Sequence, residues 1–539
     1  MERVKRFSIT TPIFYVNGPP HIGHAYTVVA ADVLARFYRQ QGAEVFFLTG
    51  TDEHGAKIAE AAGAQGKNPQ EFADEIAATF KNAWEALDVH YDDFIRTTEP
   101  RHEAGVKQAL QDLHDRGFLY EKSYRGLYCT GCEKFVTEKD LDEKGKCPLH
   151  NRKPDLLEEK NWFFKLSAFL GEVRARIERG DLNISPPERK NEVLGLFGQG
   201  IEDFSISRPK ERVPWAILLP FDDSQTCYVW VDALLNYITA LGYGEDTQAP
   251  WPKAHAQGKY WPVDLQLIGQ DILKFHAIYW PAILLALDLP LPREIFVHGF
   301  FTVNGQKISK SLGNVIDPLA LVQRYGSDAT RYLLLSQFPF GASGDVQAAR
   351  FDEQYNAVLA NTIGNLVSRT ITLLQKFSGG KIPDAQPDPT TAHVILNEVK
   401  DLSSVVADLD AIVAGPVRLA QELNQYADRT APWKETDAAK RATALRTLAD
   451  GIVRLALLAE PLLPRTSAAI QHAFNVPGRS PSEALPAGRS LGEGWAKEGT
   501  PDRLSRVAQT RPAKPSGRSG KGRSGIRPTN PPVLFPRQV

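Results

Sequence analysis

The sequence predicts a multidomain α/β protein in which a parallel-sheet domain is split by an insertion and followed by a helical bundle and a basic tail. Three observations carry that expectation. The chain has 539 residues, and domains of about 100–200 residues make three or four of them the natural division. Its opening reads strand, helix, strand, with strands apolar enough to be buried on both faces as in parallel sheets. Beyond residue 350 the apolar spacing becomes that of helices. Hydrophobic residues at 42% and charged residues at 24% exclude wholesale disorder.

Residues 7–16 read as a strand, Gly18-Pro19-Pro20 as a turn, and Ala25 to Gln41 as a helix that Gly42 stops. Residues 44–50 form a near-continuous apolar strand. The pattern is interrupted near residue 116 and returns with strands expected at 226–230 and 264–269, so the middle stretch looks like an insertion into a split nucleotide-binding domain. In the last third, Leu445, Leu448, Ile452, Leu455 and Ala459 fall on one helical face between Pro432 and Pro461. Residues 379–389 read as a Pro/Asp-rich loop, and from about Pro477 the chain is rich in Gly, Pro, Ser and Arg without periodicity, which predicts disorder.

Formal net charge is −1, but residues 503–539 carry nine Lys or Arg and no Asp or Glu, which leaves the first 502 residues at −10. A tail of that kind suits either nonspecific RNA contact or a solubilising linker. No run of about 18 apolar residues is present, and Met1 to Arg6 lead into a strand with no apolar leader. Neither membrane association nor export is expected, and the cytoplasm is the expected location.

Four cysteines in so long a chain are not a disulfide scaffold, and three lie between positions 129 and 147. Cys129-x-x-Cys132 and Cys147-x-x-His150 are two paired-ligand knuckles, a sulfur and nitrogen set suited to tetrahedral Zn²⁺. Four protein ligands leave no open position, so the metal is expected to be structural. Cys227, in an apolar stretch, reads as a small buried hydrophobe.

Two further motifs carry chemistry. His21-Ile22-Gly23-His24 follows the first strand and opens the first helix, where backbone N–H groups and the helix dipole favour phosphate. A capping histidine or a histidine metal pair would leave the same pattern. Far downstream, Lys307-Ile308-Ser309-Lys310-Ser311 sets two lysines in a Gly- and Ser-flanked loop suited to pyrophosphate, although a solvated surface loop reads alike. Both in one chain, in this order, favour the joint reading.

With these two motifs the chain resembles the class I aminoacyl-tRNA synthetases. Residues 10–18, Gly50-Thr51-Asp52-Glu53-His54-Gly55, residues 230–237 and Phe275-His276 narrow the resemblance to the methionyl-tRNA synthetase family, over roughly residues 7–475. The resemblance implies a split Rossmann-like catalytic domain with a zinc-bearing insertion and an α-helical anticodon-binding bundle. It implies a methionine pocket of Ile13, Tyr15, Trp230, Ala233, Leu234, Tyr237 and His276, with Asp52 receiving the α-ammonium. Aromatic edges suit a polarizable thioether, and a carboxylate suits an ammonium; core packing would also account for Trp230 and Tyr237. ATP with Mg²⁺ would meet His21, Gly23, His24, Gly269, Asp271, Lys307 and Lys310, and the catalytic group would be His21, His24, Lys307 and Lys310. Asn365, Arg369 and Trp433 would read the tRNA(Met) anticodon by stacking and base-edge hydrogen bonds, with helix packing the competing role for Trp433.

The expected divisions are residues 1–115 and 226–300 for the catalytic domain, 116–225 for the insertion, 301–360 for the stem-contact region with the lysine loop, 361–476 for the anticodon-binding domain and 477–539 for the tail. Gln270 stands where the family usually has Lys, and Ala216 where it usually has Gly, departures that bear on nucleotide affinity. Residues 532–537 look like the family's terminal segment, with no appended oligonucleotide-binding domain expected. The expected reaction joins L-methionine to tRNA(Met) at the expense of ATP. Two other readings stand beside it. One is a class I enzyme for another amino acid, for which the insertion looks too small to hold the editing module that isoleucine, leucine or valine would need. The other is an inactive relative retained as an RNA-binding protein.

Met1 is the only methionine in the chain. If the product is methionyl-tRNA, synthesis of this protein draws on methionine only at initiation. During methionine starvation its synthesis is therefore expected to fall less than that of Met-rich proteins; pulse labelling that shows equal decline would remove this reading.

Overall fold

The computed structural model describes residues 6–129, 134–136, 138–148, 151–245, 251, 257–307, 313–389, 407–475 and 534–536. They form two compact units. The first comprises Met1–Pro20, Ala43–Asn82 and His90–Phe300, and the second His21–Gly42, Ala83–Val89 and Phe301–Val539.

In chain order the strands of the first unit begin with β1 (Arg6–Thr10), β2 (Phe14–Tyr15), β3 (Glu44–Asp52), β4 (Asp93–Arg96) and β5 (Leu119–Cys129). They continue with β6 (Lys134–Val136), β7 (Asp155–Phe164), β8 (Asn183–Ser185), β9 (Phe204–Ser205) and β10 (Ser207–Pro209). The last four are β11 (Leu218–Leu219), β12 (Asp222–Cys227), β13 (Leu265–Gly269) and β14 (Glu294–His298). Seven of these make one sheet in which every pairing is parallel. Thr51 of β3 faces both Phe14 of β2 and Arg96 of β4, so β2 and β4 lie on opposite edges and β2 prolongs β1. The spatial order is therefore β4, β3, β1 with β2, β13, β14, β8, and its direction reverses between β1 and β13. In open α/β sheets that crevice, beyond the carboxyl ends of the strands, is where ligands bind.

Three expectations need correction. Residues 7–16 are two strands rather than one, because Pro12 has no N–H to continue the ladder. The expected strand at 226–230 ends at Cys227; it pairs antiparallel with β10 and β11, and helix Val229–Thr239 begins two residues later. A short apolar run does not by itself tell a buried strand from a helix start. Finally, β8 lies inside the stretch 116–225 yet pairs parallel with β14, so the insertion returns one strand to the main sheet. The rest of the insertion includes a four-stranded antiparallel sheet in the order β6, β5, β7, β9.

Close approach explains two glycines in this unit. A Cβ on Gly50 of β3 would lie 2.0 Å from the Ile95 carbonyl oxygen, and one on Gly105 would lie 2.5 Å from both Thr239 Cγ2 and the Tyr243 carbonyl oxygen. The second allows helix Pro100–Asp115 to lie directly against the end of helix Val229–Thr239.

The second unit is largely helical, as expected. Leu445, Leu448, Ile452, Leu455 and Ala459 are all buried on helix Ala438–Ala459, which Asp437 caps by accepting from the N–H groups of Ala439 and Lys440. Helix Asn365–Ser378 ends at Gly379 in the left-handed conformation, and residues 379–389 form the expected connection. Of the tail, only residues 534–536 are described; Leu534 and Phe535 are buried, and the Phe535 ring meets Tyr355 edge-on at 6.1 Å. The rest of the expected disordered segment lies outside the described residues.

At the centre of this unit Arg331 and Asp32 form an ion pair of 2.7 Å with both side chains inaccessible to solvent. Arg331 also donates to the carbonyls of Leu462 and Pro461, at the end of helix Ala438–Ala459, and to that of Leu87. Asp32 accepts a second bond from Arg36 at 2.8 Å. Removing Arg331 leaves Asp32 paired with Arg36 but takes a donor from the carbonyls of Leu462, Pro461 and Leu87, and breaking a buried pair in this way costs about 3–5 kcal/mol. Arg331→Ala is therefore expected to lose that much stability in denaturant unfolding, whereas Asp32→Leu combined with Arg331→Met is expected to recover only part of it, because the carbonyls still lose Arg331 and Arg36 still loses Asp32. A loss below about 1 kcal/mol for the single variant would show the pair to be dispensable.

Candidate functional site

Every residue of the expected methionine pocket lies in the first unit. Tyr15 on β2 pairs in register with Asp52, the last residue of β3, and Val16 N–H donates to the Asp52 carbonyl. Ile13 lies in the irregular step between β1 and β2. Asp52 is buried, and Lys57 lies 6.0 Å from the Tyr15 ring centre. Helix Val229–Thr239 supplies Trp230, Ala233, Leu234 and Tyr237, whose i, i+3, i+4, i+7 spacing places them on one face. Trp230 stacks on Phe275 at 3.9 Å with planes 5° apart. Ile13, Trp230 and Phe275 are partly exposed members of the same apolar cluster.

Phe275–Tyr279 is a turn of π-helix, a local widening common at functional positions, and it carries His276. His276 Nδ1 lies 3.1 Å from the Ile272 carbonyl, which can only accept, so Nδ1 carries the proton. Nε2 then accepts from the Tyr237 hydroxyl at 2.8 Å. Burial pushes the His276 pKa down to about 4 and raises that of Tyr237, so both stay neutral near pH 7. The result is an apolar wall with one oriented polar pair.

Several neighbouring side chains were not singled out from the sequence. Asp232 is 1% exposed and accepts from His54 Nδ1 at 2.7 Å through one carboxylate oxygen and from His102 Nε2 at 2.7 Å through the other. Burial alone would raise its pKa, but the His54 and His102 contacts bring it down to about 2. Burial would lower that of His54, yet the Asp232 carboxylate outweighs it and holds it raised. Beside His54, Glu53 is fully buried and receives two bonds from Arg96, at 2.7 and 2.8 Å. Arg208, also buried, lies 4.3 Å over the Tyr228 ring. It lines a small cleft with Gly55, Tyr128, Ala216 and Cys227. Cys227 is buried as expected, and burial raises its thiol pKa. Its apolar setting was legible in the sequence; the coincidence of His54, His102 and Asp232, from three separate segments, was not.

Gly269 ends β13 at the sheet's reversal, and a Cβ there would lie 2.8 Å from an Asp271 carboxylate oxygen. Gln270 and exposed Asp271 follow in a 3₁₀ turn.

In the second unit, His21 and His24 form a reciprocal cap on helix Ile22–Gln40. His21 Nδ1 accepts from Gly23 N–H at 3.0 Å, His24 Nδ1 accepts from His21 N–H at 3.3 Å, and the rings stack at 3.8 Å. The capping role is thus real, and it is compatible with phosphate binding. With both Nδ1 atoms accepting, the protons sit on Nε2, which makes each ring a directed donor. Ile22 N–H donates to the Ile316 carbonyl at 3.1 Å, so the segment following the lysine loop meets the start of this helix. Lys307 ends the strand Gln306–Lys307, which pairs antiparallel with Phe301–Val303 across a turn with positive φ at Asn304 and Gly305. Its side chain, and residues 308–312 with Lys310, lie outside the described residues.

Of the zinc set, Cys129 and Cys147 are buried together in a small cluster with Val136; Cys132 and His150 lie outside the described residues. Among the described residues, no three His, Cys, Asp or Glu side chains converge as a metal site. Asn365 and Arg369 stand one turn apart on helix Asn365–Ser378, and the Arg369 guanidinium lies 4.0 Å over the half-buried Trp433 ring while pairing with Asp428 at 3.0 Å. The three expected anticodon positions are thus neighbours. No helix among the described residues is long and apolar enough to cross a membrane.

The family of tRNA synthetases class I (M) matches residues 7–153 and 143–371. The methionine–tRNA ligase of Thermosynechococcus vestitus is 43% identical over 475 residues, spanning 86% of this chain and 89% of its own. That of Caldanaerobacter subterraneus is 40% identical over 506 residues, 92% of this chain and 77% of its own. Among solved structures, Mycobacterium tuberculosis methionyl-tRNA synthetase in complex with methionyl-adenylate superposes with a TM-score of 0.84 at 33% identity, over 90% of this chain and 98% of that one. By family model, by relatives and by solved structure alike, the chain belongs to the methionine–tRNA ligase family of class I tRNA synthetases.

Proposed function

We propose that this chain activates L-methionine with ATP·Mg²⁺ to methionyl-adenylate and pyrophosphate, then passes the methionyl group to the terminal ribose of tRNA(Met). The observation that carries the reading is the neutral Tyr237–His276 pair set in an apolar wall, in the unit where Asp52 ends a strand near the reversal of a parallel sheet. A thioether accepts hydrogen bonds weakly and packs well against aromatic rings, so this wall suits a methionine side chain. Asp52 then takes the ammonium, with Ile13, Tyr15, Trp230, Ala233 and Leu234 around the side chain.

In the first step the methionine carboxylate attacks the α-phosphorus in line; a P–O bond forms to methionine as the bond to pyrophosphate breaks. No covalent enzyme intermediate is required, so the protein's contribution is positioning and charge stabilisation. His21 and His24, each with a donor on Nε2, are assigned to the phosphate oxygens beside Gly23, and Lys307 and Lys310 to the departing pyrophosphate. Gly269 and Asp271 are assigned to the nucleotide. Gln270, which removes a charge from the family's usual position, and Ala216 bear on nucleotide affinity and are given no role in this assignment.

Cys129, Cys132, Cys147 and His150 are assigned to one structural Zn²⁺. The burial of Cys129 and Cys147 in a single small cluster supports this, since such a cluster is too small to hold its own fold. Asn365, Arg369 and Trp433 are assigned to the anticodon; a guanidinium over an indole offers an extended stacking platform.

The reaction is tested by pyrophosphate exchange across a panel of amino acids, in which methionine is expected to dominate; absence of exchange with any of them would leave only an RNA-binding role. Trp433→Ala removes a platform worth about 1–3 kcal/mol per base, so tRNA charging should fall about tenfold to more than hundredfold while exchange stays nearly constant. Parallel loss of both activities with a large drop in melting temperature would make Trp433 a core residue instead. Metal analysis should find one zinc per chain, and Cys147→Ser should lose it; intact zinc in that variant would dismiss the four-ligand set.

A further inference from the structure

Helix Val229–Thr239 has two working faces. At about 100° per residue, Trp230, Ala233, Leu234 and Tyr237 fall within about 100° of one another. Asp232 and Thr239 fall nearly opposite. The second face is held by one imidazole: His102 Nε2 contacts Asp232 Oδ1 at 2.7 Å, and His102 Nδ1 contacts Thr239 Oγ1 at 2.7 Å. His102 is completely buried and lies on helix Pro100–Asp115. That helix comes close enough only because position 105 is glycine, its missing Cβ leaving room for Thr239. The remaining Asp232 oxygen is taken by His54, two residues beyond Asp52.

A ring that bonds residues seven apart on a helix resists rotation of that helix about its axis, which a single bond would not. The consequence for the pocket is geometric. Side-chain tips stand about 6 Å from a helix axis, so a rotation of about 20° displaces them by on the order of 2 Å. That distance exceeds the length of a methylene, and one methylene separates substrates by only about ten- to two-hundredfold. A pocket on a loosely held helix would therefore lose selectivity before it lost the ability to react.

We propose that His102 is a positioning residue which, by stapling Asp232 to Thr239, sets the rotation of helix Val229–Thr239 and thereby the side-chain selectivity of the methionine pocket. The proposal rests on the assignment of that pocket to methionine. Asp232 and Thr239 are the two ends of the staple, and His54 ties the same carboxylate to the segment bearing Asp52. None of these residues needs to touch the substrate.

The test is pyrophosphate exchange with methionine and with norleucine, which replaces the sulfur by a methylene. His102→Gln is expected to raise the methionine KM tenfold or more and to shrink the methionine-to-norleucine ratio of kcat/KM by a similar factor, with the ATP KM within twofold of the parent. Thr239→Val opens only one end of the staple and should move the ratio in the same direction by less, while Thr239→Ser, which keeps the hydroxyl, should restore it. Folded His102→Gln or Thr239→Val protein with an unchanged ratio would overturn the proposal, as would a fall in kcat alone. If His102→Gln does not fold, the Thr239→Val and Thr239→Ser pair decides. Tyr237→Phe separates the two readings: no effect on methionine KM or on the ratio would reject the pocket itself, whereas an effect there with none at His102 would reject the staple alone.

Discussion

Asp232 is charged and buried, and much of the first unit is arranged so that both can be true. A carboxylate taken out of water is tolerated only when its oxygens are satisfied by donors of complementary charge or polarity. Here one oxygen belongs to His54, two residues beyond β3, and the other to His102, on the helix that follows the edge strand β4. The carboxylate itself rides on the helix that bears four of the expected methionine-pocket residues. Three segments distant in sequence therefore meet at one group, and the distances leave little latitude. Replacing glycine at position 105 would push the third segment away. The helix of the proposed pocket and the core beside it are thus tied to the same carboxylate.

The second unit solves a related problem in the opposite sense. There the deeply buried charge is a guanidinium, Arg331, neutralised by Asp32 and surrounded by the carbonyls of Pro461, Leu462 and Leu87. The last turns of a helix leave carbonyl groups without intrahelical partners, and a planar donor with five N–H groups is well suited to collect them. Asp32 lies on the helix that begins with the two signature histidines, so this ion pair holds the body of the helix whose start is assigned to phosphate. The cap formed by His21 and His24 does the complementary work at the other end. A capping role does not exclude the proposed phosphate role, because the cap leaves the Nε2 atom of each ring as its donor.

Much of the architecture was legible before any coordinate. The strand–helix–strand opening, the strand at 265–269 and the helical face from Leu445 to Ala459 follow from burial periodicity, which is a local property. The histidine and lysine motifs are local patterns too, read from residue types that are close together in the chain. The expected pocket residues, Asn365, Arg369 and Trp433 were found through family resemblance; among them the coordinates pair Tyr15 with Asp52, Tyr237 with His276 and Arg369 with Trp433.

What the sequence could not supply depends on partners brought from afar. Tyr228, Val229 and Trp230 look like the continuation of a strand, because a three-residue apolar run carries no period; only the packing of Ala233, Leu234 and Tyr237 makes it a helix start. The strand at 183–185 is too short to announce itself, and it joins the main sheet because a free edge on β14 is available to it. His54, His102 and Asp232 are ordinary residues when read singly. Local composition determined that this chain would build a parallel sheet, a helix opening on two histidines and a helical bundle. The tertiary structure decided which buried charges meet, because a charge in a protein interior is defined by its neighbours, and those neighbours are set by the fold rather than by adjacency in the chain.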